Sequence, residues 1–139
     1  MNTEKEFKRI MSTQTMIALA TSVNEVPNVR IVNFYFNELT NSLFFTSFEN
    51  NEKVKEFKIN NNVAFTTIPN EGSEHIKAKG FIEKSNLTIY DVADRFTKKI
   101  PDYKEIIEQA GQYLVLFEIK FDTAKVILDF ENIEIISLR

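Results

Sequence analysis

Three side chains in this 139-residue chain combine a reactive type with a telling position. Arg30 lies in the stretch NVRIVNFYFN (residues 28–37), where strand alternation puts it on one face with Val32, Phe34 and Phe36, opposite Val29, Ile31, Asn33 and Tyr35. An arginine on an apolar face needs a countercharge if it is buried, and either a bound oxyanion or a carboxylate from elsewhere in the chain would supply it. Lys53 falls in the first turn of a helical stretch, residues 50–60, where free amides and the helix dipole favour an anion. In so charged a helix, simple solvation is the other reading of that lysine. His75, the only histidine, shares a strand face with Lys77, Lys79 and Phe81. It is either a surface side chain or a proton donor whose reference pKa lies near working pH.

Those residues are positioned by a predominantly β chain. Residues 3–11 predict a short helix with Thr3 as N-cap and Glu6 three residues on. Strands are predicted at residues 15–21, 28–37, 42–47, 63–68, 74–84, 112–121 and 125–130, and residues 133–138 form a last strand or an extended tail. Residues 24–27 and 38–41 have turn chemistry. Helical periodicity covers residues 50–60, with Asn50 or Asn51 as cap, and residues 86–99, which Pro101 and Asp102 end before a further helical turn to about residue 109. Strands joined by hairpins with one helical excursion predict a single domain over residues 1–139. The expected fold is mainly β with flanking α, a small antiparallel barrel of six or seven strands with short helices.

Composition removes several function classes. The chain has 43% hydrophobic and 27% charged residues and a net charge of -3, which fits a packed domain and argues against a nucleic-acid binder. With no cysteine and one histidine, no thiol nucleophile and no Cys- or His-rich metal site is expected. Gly72, Gly80 and Gly111 are too scattered for a glycine cradle, so any nucleotide would be held without one. The charged N-terminus lacks an apolar run behind it and no stretch is long enough to span a membrane, so a cytoplasmic location is expected.

Four patterns in order along the chain resemble the pyridoxamine 5'-phosphate oxidase-like proteins, the FMN-binding split-barrel family. They are Arg30-Ile31-Val32-Asn33-Phe34; Leu43-Phe44-Phe45-Thr46-Ser47; the helix opened by Asn51-Glu52-Lys53 with Asn62-Val63-Ala64-Phe65 after it; and residues 75–83, HIKAKGFIE. The resemblance implies a Greek-key split barrel that forms a homodimer with FMN in the interface clefts. It implies that the positions of Arg30 and Lys53 hold the phosphate and that the strand Arg30, Ile31, Val32 and Asn33 lines the flavin. Phe45, Thr46 and Ser47 would lie beside it, Asn51 would open the phosphate-side helix, and His75 would stand where the family often has a polar residue near the ring. Chemically the pair fits, since a guanidinium binds phosphate bidentately and an ammonium binds it as a point charge.

The chain departs from the oxidases themselves. The lysine they carry five residues after the matching arginine is Tyr35 here, and Tyr90 and Arg95 do not reproduce the spacing of their tyrosine–arginine–serine set. Their C-terminal Arg-x-His element is also absent. The resemblance is therefore to small general-stress or nitroimidazole-resistance-like members. The function expected from it is an FMN-dependent oxidoreductase acting on a small molecule. The alternatives are a non-catalytic flavin or haem module, with His75 as the available axial ligand, and a barrel dimer that has lost its cofactor. Glu52, where a basic residue commonly precedes the lysine, is the feature that favours the last.

Overall fold

A computed structural model describes residues 1–138 of the chain. Four α-helices and nine strands follow in the order α1 (Thr3–Thr13), β1 (Met16–Val23), β2 (Val26–Asn33), β3 (Tyr35–Asn37), β4 (Ser42–Phe48), α2 (Glu52–Ile59), β5 (Asn62–Thr67), β6 (His75–Lys84), α3 (Ile89–Lys99), α4 (Tyr103–Ala110), β7 (Leu114–Lys120), β8 (Thr123–Ile127) and β9 (Ile133–Ser137). One 3-10 turn, Gly111–Tyr113, joins α4 to β7.

The strands pair in the order β2-β1-β5-β6-β7-β4-β3, with β8 on β6 and β9 on β8, and every pairing is antiparallel. The two ends of that path, β2 and β3, are consecutive in the chain. Only Phe34 separates them, its N–H bonded to the carbonyl of Thr15 at 3.0 Å. One extended run therefore pairs with β1 through its first half and with β4 through its second. The sheet must wrap to allow this, which makes it a barrel that is not closed by hydrogen bonds. The strand count exceeds the six or seven expected because residues 28–37 are two strands and residues 133–137 are a true strand on β8. Arg139 lies outside the described residues.

Apolar packing explains the layers. Leu19, Phe45, Phe65, Ile76, Phe117 and Ile119 point into the barrel, where α1 adds Phe7, Ile10 and Met11 and α2 adds Val54 and Phe57. Asn2, not Thr3, caps α1, accepting from the N–H of Lys5 at 3.1 Å. A second core forms outside the sheet, where Phe44 and Leu116 meet Ile89, Val92 and Phe96 of α3 and Tyr103 and Ile107 of α4. No helix among the described residues is long and apolar enough to cross a membrane.

Candidate functional site

Alternation along β2 turns Arg30 inward, opposite Leu19 of β1, and leaves Ile31 outward and exposed. Its guanidinium is largely buried, with 18% of the side chain exposed, and every polar group it meets is defined. Nη1 donates to the carbonyl of Leu19 at 3.2 Å and to Thr21 Oγ1 at 2.9 Å, and Nη2 donates to Glu56 Oε1 at 2.8 Å. Glu56 is fixed in turn, accepting from the hydroxyl of Thr21 at 2.9 Å and from Asn28 Nδ2 at 3.2 Å. Of the two countercharges open to Arg30 from the sequence, the structure contains the carboxylate. Glu56 escaped the sequence reading because it sits in a helix rich in Lys and Glu, where nothing distinguishes one carboxylate from another.

Helix α2 brings that carboxylate into place. It crosses the barrel end on Val54 and Phe57, its Asn60 side chain donates to the carbonyl of Ser22 at 2.9 Å, and its first turn carries Lys53. Asn51 is the N-cap, its side chain accepting from the N–H of Lys53 at 3.1 Å, which settles the choice between Asn50 and Asn51. Burial lowers the Lys53 pKa, and the positive charge of Arg30 lowers it further. Among the described residues no carboxylate pairs with its ammonium. Arg30, Lys53 and Glu56 together thus carry one surplus positive charge, half-buried, at the start of a capped helix. Glu52, which precedes the lysine, is exposed.

The remaining candidates separate. Val32 packs partly against the barrel core and Asn33 is half-buried. Phe45 is wholly buried, its ring 5.6 Å from that of Phe117, and Ser47 is buried on the same inward face. Thr46 points the other way, sharing a hydrogen bond with the hydroxyl of Tyr103, whose pKa burial raises. His75 opens β6 opposite Ile127, half-buried on the outer face of the sheet. Its Nδ1 lies 2.7 Å from the carbonyl of Ser73. A carbonyl only accepts, so Nδ1 carries the proton and Nε2 of the neutral ring keeps its lone pair. The structure therefore gathers Arg30, Asn51 and Lys53, and places Thr46 and His75 elsewhere on the barrel. Among the described residues no group of three or more His, Cys, Asp or Glu could hold a metal ion.

A wrapped antiparallel sheet with paired helices against its outer face is the split-barrel architecture. The model of the pyridoxamine 5'-phosphate oxidase-like family matches residues 10–132, and the chain belongs to that family. Solved structures agree on the fold. The General Stress Protein 26 from Bacillus anthracis str. Sterne is 16% identical, with a TM-score of 0.76 and coverage of 99% of each chain. A heme binding protein from Mycobacterium smegmatis is 10% identical with a TM-score of 0.76; it covers 96% of this chain, which spans only 57% of that protein's length. A FAD-binding protein from Mesorhizobium loti is 12% identical with a TM-score of 0.64, covering 86% of this chain and 90% of its own. No curated protein matches significantly in sequence.

Proposed function

We propose that the protein binds FMN between two copies of the chain and acts as a flavin-dependent oxidoreductase on a small molecule. The observation that carries this reading is the cation pair, in which a half-buried lysine with no carboxylate of its own stands close enough to Arg30 to be destabilised by it. A phosphate dianion relieves that repulsion. Lys53 and the amides at the start of α2 would hold it as a point charge and donors, and Arg30 would share its fork between phosphate and Glu56. Bound there, the flavin would supply the redox chemistry, and the chain would anchor and orient it and keep water from one face. The outward face of β2 supports a second copy as partner, since Val29 and Ile31 are each more than 60% exposed beside Ala20 and Ala18 of β1.

The test is a titration of the purified protein with FMN, followed by absorbance and flavin fluorescence. The proposal expects saturable binding that Lys53→Met weakens at least tenfold, about 1.4 kcal/mol. An unchanged affinity in Lys53→Met would remove the phosphate from this site. His75 supports a second reading, a haem module, because its proton sits on Nδ1 and leaves Nε2 ready to ligate iron. A Soret band that appears with added hemin and disappears in His75→Ala would favour it over the flavin.

A further inference from the structure

Lys99 closes α3, yet its side chain does not run out into water. Nζ lies 3.5 Å from the centroid of the Phe34 ring and donates to the carbonyl of Met11 at 2.9 Å. It thereby bridges α3, the bend between β2 and β3, and the end of α1, and both Phe34 and Met11 are buried. Beside it opens a cavity of about 410 Å³, with Lys99, Lys98 and Arg95 along one side and Tyr35, Phe36 and Met11 along the other. That is the size range of small-molecule sites. Among the described residues none of the three basic groups has a carboxylate partner. Besides Arg95 and Lys98 of α3, the polar groups around the amine are Tyr35 of β3, Ser12 of α1 and the Met11 carbonyl.

A ring face and a carbonyl both attract an ammonium, but burial prevails and pulls the Lys99 pKa down to about 7. Near neutrality much of Lys99 is therefore free amine, whereas fewer than roughly one unperturbed lysine in a thousand is. An uncharged amine on a cavity wall is a nucleophile, and two neighbouring cations suit a reactant that carries an acid.

We propose that Lys99 captures a small carbonyl compound bearing an acidic group as an imine, with Arg95 and Lys98 holding the acid. Nζ gives its lone pair to the carbonyl carbon to form the carbinolamine. The carbonyl oxygen then leaves as water carrying both hydrogens lost by the amine, and the carbon–nitrogen double bond remains. No electrons change hands, and the step is reversible. It is independent of flavin binding.

The experiment treats the full chain with glyoxylate and cyanoborohydride at neutral pH, and maps the alkylated lysines by mass spectrometry. Lys99 should be labelled at least tenfold faster than the exposed Lys55 and Lys104, and the preference should fade as the pH approaches about 10, where ordinary lysines also lose their protons. Lys99→Arg, which keeps the cation and the donor, should abolish the fast label. The double variant Arg95→Met/Lys98→Met should slow glyoxylate several-fold while leaving uncharged propanal unaffected. Label distributed by exposure, with Lys99 among the slowest, would overturn the site. Equal loss of glyoxylate and propanal labelling in the double variant would overturn the role given to the acid.

Discussion

At the scale of single residues, the proposed function turns on how Arg30 would divide itself between Glu56 and a phosphate. The ion pair is mostly buried and each partner has further hydrogen bonds, so removing one partner leaves the other desolvated. Arg30→Ala should lower stability by about 1–3 kcal/mol in urea denaturation and should also weaken FMN. Glu56→Gln separates those effects, because it keeps an acceptor for the guanidinium but removes the negative charge. If phosphate sits on this cluster, the variant binds FMN several-fold more tightly in the same titration; unchanged or weaker affinity contradicts it. Lys99 gives a pH signature. Its folded pKa, about 7, lies below its unfolded value, so in the window between them the unfolded chain binds the extra proton and stability rises with pH. Denaturation midpoints should rise from pH 7 towards about 10, by at most about 1.4 kcal/mol per pH unit, and Lys99→Met should lose that rise. The inward turn of Arg30 was legible from alternation alone. Its partner was not, because Glu56 lies 26 residues away on a helix whose face is set by packing. Lys99, one of two adjacent lysines ending an amphipathic helix, looks solvated until the fold lays Phe34 under it.

At the scale of elements, β6 organises the barrel. It pairs with β5 through its middle, with β8 at its start and with β7 at its end. Gly80 sits where β7 comes in, and a Cβ there would meet the backbone oxygen of Lys120 at 2.1 Å. Backbone cannot yield as a side-chain tip can. Gly80→Ala should therefore cost about 2–3 kcal/mol, read as a lower urea midpoint. The face assignment along β6 was visible in the sequence, with Ile76 and Ile82 buried and Lys77, Lys79 and Phe81 exposed. The break between β2 and β3 was not. Arg30, Val32, Phe34 and Phe36 keep perfect alternation through the bend, and a change of pairing partner leaves no mark on a period of two. Phe45 and Ser47 show the same limit from the other side. They lie on the strand expected beside the flavin, but only the wrapped sheet reveals that their face is interior.

At the scale of the whole molecule, the outer face of the sheet must explain why a small barrel leaves so much aliphatic surface uncovered. Registers across the sheet line up Ile31 with Ala18 and Thr66, then Lys77, Lys125 and Ile135, so one continuous face carries exposed aliphatics at both ends. A second copy meeting that face would cover it. If a dimer forms through that face, as proposed, Ile31→Glu should shift sedimentation from dimer to monomer and reduce FMN affinity with it; a variant that stays dimeric would move the interface elsewhere. The most direct test of the central claim is the visible absorption spectrum of the protein after addition of FMN and removal of the excess. A flavin spectrum at one FMN per chain, lost in Lys53→Met, is the expected result. A protein that remains colourless after saturating FMN would contradict the claim.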